Sequence, residues 1–468
     1  MSNEQMICMT GWKQSATSAP MVIDALVVLR EEILKEHQIR DIVVVGMGGS
    51  ALGARVFADF FIDDLDARGV TLRIVDTTEP SSIQAILDDF NEEQGLVIVS
   101  SKSGGTVEPI CLGQIFFEHM ANVFKSSQIA AQHFISISDA DTPLSRLAES
   151  ENWRGAIKTP QNVGGRFSVL TAFGLAPMIL AGMNSSNIIS AAQEMQLQCS
   201  NESSCPARRL AATLYQGMIE GRDKLIIGHD AESESFARWL EQLIAESLGK
   251  DGKGLIPLPM PLKRANSLTG DDLQSISLAQ LTAQTVGEDL LRWMFAVEKL
   301  ASYLELDPFD QPNVEAVKVA TRSALTHIAN NPNHSQLATT LDDVRFGSAD
   351  DLPSLVGPNS FIVLISWAPV TIENLSALET LAGDLQDTYG RPVVIAEGPH
   401  YLHASGQLYK GGPDSGVYIL LTQESEGDIN IPEADYTLKQ LYEASLVGDL
   451  EVMLSLKRPL IRLSFPQP

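Results

Sequence analysis

The sequence predicts an α/β protein made of two doubly wound parallel-sheet domains, each with three αβα layers. Short continuous apolar runs rich in β-branched residues suit parallel strands buried on both faces. These runs alternate with helix-length segments, the pattern of a βαβ series. The third observation is the stretch Asp41 to Gly53, DIVVVGMGGSALG. An apolar strand there enters a glycine turn, and a helix opens near Ser50 with unpaired N–H groups and a positive dipole end, a natural seat for phosphate.

Two further readings of that turn stand beside the phosphate one. The glycines and Ala51 fit G-x-G-x-x-A, and Asp76 ends a later strand, so the turn also suits a dinucleotide. Asp76 lies farther beyond Gly46 than the usual spacing of about 20 residues. A tight strand-to-helix turn that needs glycine for packing alone is the other reading. No Gly-Lys-Ser/Thr follows, which excludes a Walker-type loop.

The chain has 468 residues, enough for two or three domains. Its 44% hydrophobic and 20% charged residues are those of a soluble globular protein. With 33 Lys and Arg against 59 Asp and Glu, the net charge is −26, which argues against nucleic acid and anionic membranes as partners. An anionic substrate would therefore need local donors. The four cysteines, Cys8, Cys111, Cys199 and Cys205, show no C-x-x-C spacing and read as reduced thiols of a cytoplasmic protein. The eight histidines include no H-E-x-x-H, so no metal site is expected. The N-terminus lacks a basic region followed by an apolar core, so no signal peptide is expected. The apolar stretch Phe167 to Met183 is broken by Ser, Thr, Gly and Pro and reads as a buried helix rather than a membrane span.

Taken in order, residues 1–35 form a leader with a helix over Val22 to Leu34. A first domain, 36–185, carries strands at Ile42–Val45, Leu72–Val75, Leu96–Val99 and Phe134–Ile137. Helices start near Ala51, Ser81 and Thr106, and Thr142 and Pro143 supply a cap and first-turn proline for another. A polar stretch, Asn184 to Ser204, joins this domain to a second, 205–468. That domain has strands at Lys224–Ile227, Phe361–Ser366, Val393–Ala396, Val417–Leu421 and Leu460–Leu463. Its helices fall at Glu232–Ser247, across Leu278–Asn330 as an insertion, and at Leu438–Leu454. Residues 331–352 read as an exposed connection.

Three more stretches carry chemistry. SSKSGGTVEP, Ser100 to Pro109, sets Ser101, Lys102, Ser103 and Thr106 at the mouth of a long helix, where hydroxyl and backbone donors form a phosphate cradle or simply an N-cap cluster. NVGGRFSVLTAFGLAP, Asn162 to Pro177, places Arg166 after two glycines, facing a developing oxyanion or lying beside a surface turn. WLEQLIAESLGKDGKG, Trp239 to Gly254, puts Gln242 and Glu246 at i and i+4 on one helix face. A shielded carboxylate there can shuttle a carbon-bound proton, whereas a solvated one does nothing further.

The strings GMGGSALG, SSKSGGTVEP, VGGRFSVLTAFGLAP and QLIAESLGKDGKG, joined by PFDQPNVEAVK and GPHYLHASGQLYKGGP, together resemble the glucose-6-phosphate isomerase family. The resemblance runs from about Ile39 to the C-terminus and is nearest to the isomerase portion of transaldolase–isomerase fusion proteins. It implies two sugar-isomerase (SIS) domains and interconversion of glucose 6-phosphate and fructose 6-phosphate through a cis-enediol(ate), as in glycolysis and gluconeogenesis, without cofactor or metal. It further implies that Gly49, Ser50, Ser101, Lys102, Ser103, Thr106, Gly165, Gln242 and Gln311 bind the substrate. Glu246 is then the base, Arg166 steadies the enediolate, and Lys318 and His403 open the sugar ring, with His400 as the alternative to His403. Family members take this histidine from a neighbouring subunit, which implies a homodimer. The chain departs from the family in two ways: the loop has Ser-Gly-Gly where many members have Thr-Phe-Thr, and His403 follows Gln311 and Lys318 instead of preceding them.

Overall fold

The computed structural model describes residues 9–201, 203–330 and 346–466. It divides into two compact units that interleave in sequence. The first holds residues up to Asp76, Asp89–Leu210 and Leu281–Ala296, and the second holds Thr77–Asp88, Ala211–Gln280 and the chain from Val297 onward.

In the first unit, strands β1 (Asp41–Gly46), β2 (Thr71–Val75), β3 (Gly95–Ser100), β4 (Phe134–Asp139) and β5 (Gly155–Thr159) form one sheet in the order β2-β1-β3-β4-β5. Every pairing is parallel. Strands β1 and β3 are buried at every residue, as expected of apolar runs covered on both faces. The chain leaves β1 for one side of the sheet and returns to β3 on the other, so the order reverses between these two strands. Open α/β sheets bind ligands outside the carboxyl ends of strands at such a reversal. Gly46 and Ser100 are register partners there.

The helix of the leader starts earlier than the sequence suggests, at Ser15, and runs through Pro20 to Leu34. That proline is what delays a start read from the sequence. Trp12, just ahead of it, is fully buried, with its ring 5.0 Å from Phe167 and 4.9 Å from Phe295. The stretch Asn184 to Ser204 is mostly a helix, Ser186–Cys199, whose buried Ile188, Ile189, Ala192 and Met195 form one apolar stripe in a polar sequence. The turn after it brings the Cα atoms of Cys199 and Cys205 within 4.2 Å, and the two form a disulfide. This corrects the reading of these two as reduced thiols: a local turn supplied the proximity that their spacing did not advertise. Cys111 is buried and unbridged, and Cys8 lies outside the described residues.

The second unit has two sheets. Strands β6 (Lys224–His229), β7 (Ile256–Pro261) and β8 (Leu273–Ser277) pair in the order β7-β6-β8. Strands β9 (Phe361–Trp367), β10 (Val393–Glu397), β11 (Gly416–Thr422) and β12 (Leu460–Ser464) pair as β10-β9-β11-β12. All of these pairings are parallel as well. Along β9, Phe361, Val363, Ile365 and Trp367 enter one apolar cluster while Ile362 and Leu364 enter another. The sheet is therefore buried on both faces by the period of two that a strand imposes.

Strand β7 reads IPLPMP, a sequence that argues against a strand. Its prolines alternate, at 257, 259 and 261, so every missing N–H lies on the side away from β6. The intervening Ile256 donates inward to Asp223 O at 2.8 Å. Strand β10 runs beside β7 without a ladder between them. Two of its carbonyls instead accept from guanidinium groups, Ile395 O from Arg238 at 3.0 Å and Val393 O from Arg264 at 2.8 Å. The predicted insertion Leu278–Asn330 is two helices, Val286–Leu304 and Pro312–Asn330. Of the predicted connection 331–352, residues 331–345 lie outside the described residues, and Ala349–Leu355 is short helix.

Candidate active site

In the first unit, the chain leaves β1 through Met47 and makes a single 3₁₀ turn, Gly48–Ser50, before the helix Leu52–Phe60. Gly48 has φ +53°, a left-handed conformation that favours glycine. Gly49 is needed for a different reason: a Cβ there would lie 2.2 Å from Gly165 O. The turn Gly165–Phe167, which carries Arg166, is thus laid directly against the first loop. Ser168 Oγ fastens it, donating to Gly165 O at 2.6 Å and to Gly49 O at 3.3 Å. From the second loop, Ser100 Oγ donates to Ser50 O at 2.8 Å. Three sequence-predicted stretches therefore meet, with Ser50 and Arg166 both buried.

The loop after β3 carries its hydroxyls into the helix Val107–Phe124. Thr106 is the N-cap residue, yet its side chain does not cap the helix; its Oγ1 lies 3.4 Å from Ser103 Oγ. Ser101 is 1% exposed, and its hydroxyl has no hydrogen-bond partner among the described residues. Buried polar atoms are rarely left so, and a buried hydroxyl in this state suits an anion. Lys102 has another engagement: its ammonium lies 2.5 Å from Asp139 Oδ2 and 3.3 Å from Pro160 O. Asp76, the acid that a dinucleotide reading requires, is paired with Arg55 at 2.8 Å.

In the second unit, the helix Glu234–Leu248 is buried along nearly its whole length, and Gln242 and Glu246 are 2% and 4% exposed. Gln242 Nε2 stands 3.5 Å from Glu246 Oε1 and 2.8 Å from His403 O. On the other side, Gln311 Nε2 stands 3.5 Å from Glu246 Oε2. Each oxygen of the buried carboxylate thus has a carboxamide N–H₂ beside it. Gln242, Glu246, Gln311 and the His400–His403 turn are brought together as the sequence suggested. Lys318 lies on the helix Pro312–Asn330, its side chain 43% exposed and its ammonium 3.6 Å from Glu315.

Two residues that the sequence reading passed over hold Gln311 in place. Lys250 donates to Asp307 O at 2.6 Å and to Asp310 O at 2.8 Å, pinning the loop ahead of Gln311. Gln407 accepts from Asn313 N at 3.0 Å and donates to Asn313 Oδ1 at 2.8 Å and Gly249 O at 3.0 Å. Both lie in strings that carried the resemblance, SLGKDGKG and HASGQLYKGG, yet nothing local marks either as a support for Gln311. Glu241, next to Gln242, is buried, and desolvation holds its carboxyl above the ordinary range despite Arg238 close by. No group of three or more His, Cys, Asp or Glu that could hold a metal occurs among the described residues, and no described helix is long and apolar enough to cross a membrane.

Residues 32–254 match the family model for phosphoglucose isomerase. A probable glucose-6-phosphate isomerase from Haloquadratum walsbyi is 34% identical over 219 residues, 46% of this chain and 49% of that protein. The glucose-6-phosphate isomerase of Methanocaldococcus jannaschii is 33% identical over 223 residues, 47% of this chain and 53% of its own. The chain spans about half the length of these curated relatives. The solved structure of a glucose-6-phosphate isomerase from Chlamydia trachomatis shares the fold, with a TM-score of 0.53 at 16% identity over 70% of this chain and 75% of that one. Gln311, Lys318 and His403 lie beyond the matched residues, whereas the loops after β1 and β3, Arg166, Gln242 and Glu246 lie within them. Over residues 32–254, slightly under half of the chain, the sequence is similar to phosphoglucose isomerases.

Proposed function

We propose that the chain is an aldose–ketose isomerase that interconverts glucose 6-phosphate and fructose 6-phosphate. The observation that carries this reading is the buried Glu246 carboxylate with Gln242 and Gln311 on either side, on a helix inside the segment that matches the phosphoglucose isomerase family. A carboxylate shielded from water and held by neutral donors is a base suited to a carbon-bound proton.

In this reading the substrate phosphate is met by backbone N–H groups and hydroxyls at Gly49, Ser50, Ser101, Ser103 and Thr106. Lys102, paired with Asp139, shapes that loop. Fixing one end of the sugar lowers the entropy cost of aligning C1 and C2. His403, assisted by Lys318, protonates the ring oxygen and opens the pyranose. Glu246 then takes the C2 proton of the aldose and returns it at C1, and Arg166 stabilises the enediolate between these steps. A single donor aimed at such an oxyanion is worth about 10²–10³ in rate. Hydroxyl recognition falls to Gln242 and Gln311.

A homodimer and a cytoplasmic location belong to the same proposal. The dimer rests on the family resemblance, in which this histidine side chain comes from a neighbouring subunit; within its own chain the His403 carbonyl accepts from Gln242. The test is turnover of fructose 6-phosphate to glucose 6-phosphate, coupled to glucose-6-phosphate dehydrogenase and read as NADPH. Turnover is expected. Binding without turnover would make the chain a sugar-phosphate sensor, and neither binding nor turnover sinks the reading.

A further inference from the structure

Behind the His400–His403 turn lies a charge cluster that none of the chemistry above uses. Tyr401, Lys410 and Asp449 are 2%, 3% and 1% exposed. The Tyr401 hydroxyl donates to Asp449 Oδ2, and the Lys410 ammonium lies 2.5 Å from Asp449 Oδ1. The same ammonium sits 5.7 Å from the centre of the Tyr401 ring and donates to Gly406 O at 3.3 Å. Tyr401 lies in the turn itself, and Lys410 belongs to the short helix Gly406–Gly411 that follows. One carboxylate therefore grips both ends of the segment 401–410.

Asp449 sits on a firm support. Its helix, Leu438–Ser455, packs along Pro312–Asn330, and at Gly448 the approach is so close that a Cβ would lie 2.6 Å from Thr321 N. The helix that Gln311 precedes and the helix that carries Asp449 are thus locked together. Burial and the adjacent Asp449 carboxylate hold the Tyr401 phenol well above its ordinary value, so it remains a donor.

A buried ion pair is weak as a source of stability, because apolar side chains of similar volume often do as well or better. Its better-attested use is to fix one arrangement among several. We propose that Asp449 is a positioning residue: through Tyr401 and Lys410 it sets the His400–Gly411 segment, and with it His403, whose carbonyl accepts from Gln242. The inference rests on the isomerase reading. Glu246 and the phosphate loops would bind substrate without it, but the ring-opening group would stand in the wrong place.

Removing Asp449 alone would leave the Lys410 charge buried and unpaired, so the informative variant is the double one, Asp449→Leu with Lys410→Met, accompanied by Tyr401→Phe alone. Both are compared with the parent chain in the fructose 6-phosphate assay and by thermal melting. The proposal expects melting temperatures close to the parent, kcat lower by about 10- to 100-fold as for a misplacement of about 1 Å, and KM within about threefold. Parental kcat in a folded double variant overturns it. A raised KM at unchanged kcat also overturns it, since that marks substrate anchoring. Should the double variant not fold, Tyr401→Phe decides by the same kcat criterion. Absence of turnover in the parent chain itself would count against the isomerase reading instead.

Discussion

The first unit places its chemistry-bearing residues where β1 and β3 end, and it holds them with main chain: Gly49 against Gly165, Ser100 Oγ on Ser50 O, Ser168 Oγ on Gly49 O. The second unit does the same task with side chains. Lys250 and Gln407 hold Gln311, Gln242 holds the His403 carbonyl, and Asp449 holds Tyr401 and Lys410. On the proposed reading, the difference follows from what each region has to recognise. A phosphate is met by N–H groups at turns and helix starts, which demands small residues and close approach. A carbon-bound proton is met by one carboxylate whose position depends on its neighbours' hydrogen bonds.

The largest effect that tests this contrast belongs to the second unit. Glu246→Gln keeps size and burial but removes the proposed base, and kcat is expected to fall by about 10²–10⁴-fold. Calorimetric binding of a sugar-acid phosphate should change little, because phosphate recognition lies elsewhere. Equal loss of turnover and binding would merge the two roles and break the comparison.

The corresponding lesion in the first unit is steric. Gly49→Ala drives a methyl into the Gly165 carbonyl, a backbone atom that cannot swing aside. Overpacking of this sort costs about 1–3 kcal/mol, and because the displaced turn carries Arg166, substrate affinity should fall as well, by about tenfold. Gly165→Ala is the internal control for stability. Its Cβ meets nothing within 4 Å, so its melting temperature should stay nearer the parent's. A reversed ranking of the two melting temperatures would show that the loop does not depend on close backbone approach.

This contrast also decides what could be read from the sequence. The first unit was legible because its signals are local: an apolar strand, a glycine turn and a helix start follow one another from Asp41 to Gly53. Where strands lack an apolar run, as in Gly155–Thr159 at the sheet edge and the half-exposed Leu273–Ser277, the pattern carried no signal. Strand β7 was hidden by prolines whose alternation leaves one side free to pair. In the second unit, Gln242 and Glu246 could be placed on one face because a helix repeats locally. That Lys410 would meet Asp449 depends on a helix pairing distant in sequence, which no local rule contains. Asp76 shows the converse. It ends a strand as a ribose-binding acid would, though at longer than the usual spacing, and the structure gives its carboxylate to Arg55.

The smallest effect concerns stability alone and lies in the first unit. His133 is stacked on His37, 4.5 Å away, and on Phe124, 4.9 Å away, and donates from Nδ1 to Gly95 O at 2.8 Å. Desolvation lowers both histidines below 6.5, and Arg154 nearby adds to the shift in each. The unfolded chain therefore takes up more protons than the folded one once the pH drops below about 6.5. The stabilisation is complete above that value and is lost as the pH falls further, toward the lowered folded-state values. His37→Phe keeps the stack and removes one titrating ring. Between pH 6.5 and 5.5, before most carboxylates titrate, the parent should lose roughly 1–3 °C more in melting temperature than this variant. His229 in the second unit, lowered by burial in the same direction, titrates alike in both proteins, so the difference between them isolates the first unit. Parallel melting curves across that pH range would mean that the stacked pair is protonated as readily folded as unfolded.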